Sequence, residues 1–224
     1  MSRRPTSGPS ERRELKGLIL SGADSRDDRI IRLLGEDDML VPAIARFARK
    51  SSKTGSLSSR LQPLSLVVVD VTSRGEDDLA TIGASFVERP FSVIKSDLLR
   101  TALASCMAEV VLHILPEYAQ EDGLYALLMK ALLHLDDPRS TPRRELFLLF
   151  LLRILDMQGV LPPLDELPEL TAHARAALEE WRSGRFVPLP EGDLHTTARF
   201  LEEALSELSG RPLLSGSLLD AALA

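Results

Sequence analysis

The feature that most constrains this chain is a change of hydrophobic period at Arg89-Pro90. Ahead of it, apolar residues come in short runs with a repeat near two. Behind it they recur every three or four positions. A repeat of two belongs to strands and one of 3.6 to helices, so one kind of element cannot serve both parts. Five runs precede the break, at residues 15–20, 29–34, 39–45, 64–72 and 79–87. The first two flank a polar stretch, 21–28, that reads as a hairpin turn. Pro42 falls on the face opposite Met39, Val41, Ala43 and Ala45, which suits an edge or a bulge. Five short strands in about 75 residues fit a small closed OB-type barrel better than a sandwich.

Behind the break, Ser96 is expected to cap a helix with Leu99, Ala102, Leu103, Cys106, Val110 and Ile114 on its apolar face, ended by Pro116. Leu124, Leu127, Leu128, Ala131, Leu132 and Leu135 trace a second. The third, 142–158, opens on proline and closes at Gly159; it is apolar almost all round, as a central buried helix should be. A proline-rich linker follows at 160–168. A fourth helix (172–181) stops at Gly184, a fifth is capped by Asp193 and stops at Gly210, and a short one ends the chain near 217–223. The expected class is α+β: a disordered lead at 1–13, a five-stranded OB-type barrel at 14–90 and a helical domain at 91–224.

Charge is unevenly spread as well, with its division ahead of that break. The chain carries a formal −6, but residues 1–64 hold 13 Lys/Arg against 8 Asp/Glu, leaving the excess acid behind them. A basic front and an acidic back point to two jobs. Arg46, Arg49, Lys50, Lys53 and Arg60 fall between two predicted strands with no acid among them. Such a loop suits phosphate, because each cation paired with a phosphate releases counterions. Phe47 lies inside the cluster and can either stack on a base or fill the barrel core; strand alternation does not decide.

Other chemistries fit poorly. The thirteen glycines form no phosphate-cradling loop. His113, His134, His173 and His195 are never at two-ligand spacing with another His or Cys, so neither metal nor cofactor is expected. Cys106, the single cysteine, lies on an apolar helix face and suits a reducing cytoplasm. The acidic pairs, Asp27-Asp28 among them, fall at predicted turns, and no catalytic constellation forms. The longest unbroken apolar run, 146–152, is far short of the ~20 residues that cross a bilayer, and no membrane role is expected.

The order of elements and three sequence blocks resemble the RecO family. The first block is Gly17-Leu18-Ile19-Leu20 followed by Asp28-Arg29-Ile30-Ile31-Arg32-Leu33-Leu34. The second, the most specific, runs Ala45-Arg46-Phe47-Ala48-Arg49-Lys50-Ser51-Ser52-Lys53 and then Leu61-Gln62-Pro63-Leu64. The third joins Ser96-Asp97-Leu98, Ala104, Glu109 and Pro116-Glu117 to a Leu-rich helix ending near Gly159. The resemblance implies an OB barrel followed by a helical domain, and a cytoplasmic, nucleoid-associated protein that catalyses nothing. It implies binding of single- and double-stranded DNA and annealing of complementary strands. It further implies help, with a RecR-like protein, in loading a recombinase onto DNA coated by single-strand-binding protein. The alternative within the same fold is an adaptor that bridges repair proteins without binding DNA.

The resemblance also implies that the helical domain docks the acidic, apolar-ended C-terminal tail of the single-strand-binding protein. Arg139, Arg143 and Arg144, at the start of the third helix, are the candidates for that partner, although the family's own basic pair aligns over Leu148 and Leu149. Many family members carry a four-cysteine zinc motif after the long helix; residues 162–178 contain no cysteine here. Packing across Leu178, Trp181, Leu201 and Leu205 is expected in its place. The family's basic positions near the last Pro-Leu segment are Leu214 and Gly216.

Overall fold

The structure, a computed structural model, describes residues 11–48, 57–73 and 79–223. The chain divides into two compact units. One comprises the residues up to Phe91 together with Leu115–Tyr125; the other comprises Ser92–Ile114 and the chain from Ala126 onward.

In the first unit, β1 (Glu11–Ser25), β2 (Asp28–Gly35), β3 (Leu40–Ala45), β4 (Leu66–Ser73) and β5 (Ala80–Arg89) close a barrel in the order β1-β2-β3-β5-β4. A short helix, α1 (Leu57–Arg60), lies between β3 and β4. With helices following it, this barrel bears out the expected α+β class. Its ladders are antiparallel except the β3–β5 seam, which rests on the parallel pairs Ala43–Ala80 and Ile44–Thr81. Pro42 lies just outside that seam, where β5 asks it for no ladder bond. The strand β1 is 15 residues long because it serves two partners. Glu11–Leu18 run against β4 and Gly17–Ser25 against β2. At the overlap a Cβ on Gly17 would stand 2.4 Å from the Leu34 carbonyl oxygen, so only glycine fits. Alternate side chains, among them Leu15, Ile19, Ile31, Leu33, Val41, Val67, Val69 and Ile82, fill the interior.

Two strand boundaries differ from expectation. Residues 1–10 of the expected disordered lead lie outside the described residues, but Glu11–Arg13 already belong to β1. They pair with Val71–Ser73, and Arg12 reaches Asp70 at 2.7 Å. The stretch 21–28 is mostly strand rather than turn: the ladder continues to the Ser25–Asp28 pair, and the loop is Arg26-Asp27 alone. Backbone pairing needs no apolar alternation, which is why polar residues could extend the strands unseen.

The remaining helices are α2 (Ser92–Lys95), α3 (Leu98–Ile114), α4 (Leu124–Leu135), α5 (Arg144–Met157), α6 (Ala172–Arg182), α7 (Glu191–Ser209) and α8 (Gly216–Leu223). None of the described helices is long and apolar enough to cross a membrane. In α5, Phe147, Leu148, Phe150, Leu151, Leu152, Ile154 and Leu155 are all buried, so the helix apolar on every side is indeed central. Leu178, Trp181, Leu201 and Leu205 are buried as well. Two caps move. Asp97, not Ser96, caps α3, its carboxylate accepting the Arg100 amide at 2.8 Å. Helix α7 starts at Glu191, so Asp193 stands in its first turn and accepts instead from the Thr171 hydroxyl at 2.9 Å.

Between α3 and α4 the chain returns to the barrel unit. The Tyr118 amide donates to the Leu40 carbonyl at 2.7 Å, and the Leu40 amide to the Ala119 carbonyl at 3.1 Å. The Asp38 carboxylate then takes the amides of Gly123 (2.9 Å) and Tyr125 (2.6 Å). Residues 115–125, placed among the helices by their sequence position, therefore belong with the barrel.

A second fastening closes the helical unit. The Glu109 carboxylate on α3 accepts the amides of Leu214 (2.7 Å) and Ser215 (2.8 Å) and the Ser215 hydroxyl. Burial alone would push this carboxyl up, but those bonds and nearby His113 hold it below the usual glutamate range. A carboxyl lowered in the fold stabilises above its unfolded value, about 4.3. That contribution is lost as pH falls through the folded value. Amide exchange over residues 211–223, taken relative to the intrinsic rate at each pH, should therefore be slow at neutral pH and quicken progressively below about pH 4.3. Glu109→Gln should quicken it at neutral pH by about one power of ten. Equal exchange in the two proteins at pH 7 would show that the carboxylate does not hold this segment.

Candidate nucleic-acid and peptide interfaces

OB-type barrels bind oligonucleotides on the β2–β3 face and on the β1–β2 and β4–β5 loops. Here one end of the β2–β3 face carries the return segment: Glu117 pairs with Arg32 at 2.7 Å, and Met39 bridges Gln120. At the other end, open among the described residues, Arg26, Asp27, Arg46 and Phe47 are exposed. There the Arg29–Ala45 pair leads into the turn 46–48 on one strand and the Arg26-Asp27 loop on the other. The Phe47 amide donates to the Asp28 carboxylate at 2.9 Å, which ties the turn to the hairpin.

Of the six residues expected to meet DNA, Arg49, Lys50 and Lys53 lie outside the described residues. Arg46 is exposed at the open end. Phe47 is 55% exposed, which rejects the barrel-core reading and leaves its ring on the surface. Ala45 and Ala48 occupy the interior on either side of it. Arg60 is partly buried and donates to the Ser85 carbonyl at 3.1 Å, so it also docks α1 onto β5. Sequence reasoning missed Arg29. Its guanidinium is 6% exposed and donates to the Leu61 carbonyl (2.9 Å) and to Asp24 (2.7 Å), anchoring the end of α1 beside the hairpin.

The three arginines expected to meet a partner tail do not converge. Arg139 precedes α5 and folds back on Asp137 (2.9 Å), whose carboxyl it holds down at about 2. Arg144 turns to Glu202 at 3.1 Å and lines a different hollow, between α5 and α7. Arg143 alone of the three faces a groove of about 560 Å³ formed by α4, α5, the end of α6 and the chain after it. Its apolar wall is Leu127, Ala131, Leu146, Leu149, Phe150, Trp181 and Phe186. Lys130, His134, Arg153 and Arg185 join Arg143 around it. Phe186 stacks on the buried Trp181 with centroids 6.0 Å apart and planes 9° from parallel. Arg153 donates to the Trp181 carbonyl at 2.7 Å, and Arg185 is held by Glu180. These basic residues come from three separate segments, which is why the sequence singled out Arg143 alone among them. Leu149, one of the two positions over which the family's basic pair aligns, lies on the groove wall.

The described residues hold no cluster of His, Cys, Asp and Glu able to bind a metal ion. Cys106 is buried, which pushes its thiol up to about 11 and keeps it protonated at neutral pH.

The chain is 28% identical over 218 residues to the DNA repair protein RecO of Anaeromyxobacter dehalogenans, covering 91% of this chain and 84% of that protein. It is 32% identical over 143 residues to the protein of the same name from Desulfatibacillum aliphaticivorans, covering 63% of this chain and 53% of that one. Among solved structures, asparaginyl-tRNA synthetase from Pyrococcus horikoshii overlaps 49% of this chain and 33% of its own, at 13% identity and a TM-score of 0.30, too little to carry an argument. Residues 95–210 match the family model described as the C-terminal part of recombination protein O. That match spans more than half of the chain, and the chain belongs to the RecO family.

Proposed function

We propose that this protein acts in DNA repair as a mediator without catalytic activity. It binds single- and double-stranded DNA through the open end of its barrel and anneals complementary strands. It holds the acidic, apolar-ended tail of a single-strand-binding protein in the α4–α5 groove. With a RecR-like partner it assists recombinase loading. The observation that carries this reading is family membership with relatives named for DNA repair. The exposed Arg46-Phe47 turn supports the DNA contact, and an apolar groove rimmed by cations supports an anionic peptide with a hydrophobic end. Arg143 is the partner-binding residue kept from the sequence reading. Lys130, Arg153 and Arg185 join it in place of Arg139 and Arg144.

The test is the salt dependence of DNA binding. Replacing Arg49, Lys50 and Lys53 together with alanine should weaken binding to all sequences alike, because phosphate contacts carry no base information. Each lost contact should flatten the slope of log affinity against log salt by about 0.7–0.9, so roughly two units disappear in the triple variant. Unchanged affinity and slope, by fluorescence anisotropy, would remove the loop from the site and leave the bridging adaptor as the better reading.

A further inference from the structure

Two unfavourable features meet at Phe47. Its backbone lies in the left-handed region at φ +53°, where a residue with a Cβ is strained. Its side chain is 55% exposed, so the strain is not offset by burying the ring. Strain of this kind persists where surrounding structure imposes it, and it concentrates at binding sites. Here the restraints are identifiable. Ala45 and Ala48 are fully buried on either side and hold the turn to the barrel. The Asp28 carboxylate accepts the Phe47 amide at 2.9 Å. Asp28 is itself set by its ladder pairing with Ser25 across the Arg26-Asp27 loop. Arg46, exposed, directly precedes Phe47, and Arg26, also exposed, lies two residues before Asp28 in the adjoining loop.

We infer that Asp28 is a positioning residue that turns Phe47 outward to stack on an unpaired nucleobase, so that this end of the barrel favours single-stranded over double-stranded DNA. The inference rests on DNA being the barrel's ligand, as proposed above. A base offers its face to a ring only when it is unstacked; in a duplex both faces are covered, and extruding a base is costly. Arginines beside the ring can hold the flanking phosphates, but phosphates occur in both forms of DNA. The aromatic ring therefore carries the preference. The second acid of the Asp27-Asp28 pair thus has a function that its placement at a turn does not convey.

Anisotropy titrations of the full chain with one oligonucleotide, single-stranded and annealed to its complement, test this. Phe47→Ala should weaken single-strand binding roughly five- to hundredfold, leave duplex binding within about twofold, and keep the salt slope of the wild type. Asp28→Ala should lower single-strand binding in the same sense. Asp28→Asn keeps an oxygen for the Phe47 amide, so it should retain the single-strand preference and bind both forms somewhat tighter, because a negative charge is gone. Phe47→Gly should melt no lower than wild type, since glycine relieves the strain. Equal losses for both forms of DNA, no loss in Phe47→Ala, or a clearly lowered melting temperature in Phe47→Gly would overturn the inference while leaving DNA binding intact. A wild-type protein that binds neither form would overturn the DNA-binding reading itself.

Discussion

Replacing Arg100 with methionine should cost the helical unit about 3–5 kcal/mol. Arg100 lies on α3 and is 6% exposed, yet its guanidinium is well satisfied. It donates to the Leu135 carbonyl at the end of α4, to the Asp137 carbonyl at 3.1 Å, and to the hydroxyl and carbonyl of Ser140. The last carbonyls of a helix have no partner within it, and this side chain supplies one from a neighbouring helix. Methionine fills much of the volume but leaves those oxygens bare. Lysine restores a charge but not the planar fork, so Arg100→Lys should lose roughly half as much. Fluorescence of Trp181, the chain's single tryptophan, reports urea unfolding of this unit. An unfolding free energy within about 0.5 kcal/mol of wild type for Arg100→Met would mean that water replaces the fork at little cost.

The second large effect is expected at the groove. Trp181 is fully buried, stacks under Phe186 and donates its indole N–H to the Val187 carbonyl at 2.8 Å. Trp181→Ala should destabilise by about 3–5 kcal/mol, read by circular dichroism because the fluorophore is gone. It should also abolish binding of an acidic peptide ending in an aromatic residue, because one wall of the groove collapses. Phe186→Ala separates the two effects. That ring is 46% exposed, so its loss should change stability by less than about 1 kcal/mol. Peptide affinity should nevertheless fall about tenfold, with DNA binding unaltered. Peptide binding that survives in Phe186→Ala would take the aromatic wall out of the site.

Much of the architecture was legible in advance, since hydrophobic period is a local property. Five runs of period two became the five strands, and the all-apolar run became the buried α5. Element ends were less legible, for reasons that can be named. Ser96 and Asp97 are adjacent and both suit a cap; only the geometry decides which one meets the Arg100 amide. Polar residues 21–25 show no alternation, yet backbone pairing carried them into the strand. The arginines at 139, 143 and 144 are neighbours in sequence, but the start of a helix fans them toward Asp137, the groove and Glu202.

The sequence by itself determined the class of fold, the place where strands give way to helices, and which stretch of the barrel is basic. Each of these is written in residues near one another along the chain. The tertiary structure alone decided that residues 115–125 belong with the barrel. Their attachment runs through backbone amides to Leu40 and to the Asp38 carboxylate, and a backbone bond leaves no mark on composition. It alone decided that Phe47 faces outward, because its direction follows from a positive φ and one bond to Asp28. It alone assembled the groove, whose lining is drawn from α4, α5, the end of α6 and the chain after it. A surface built from distant segments exists only after the core has brought them together.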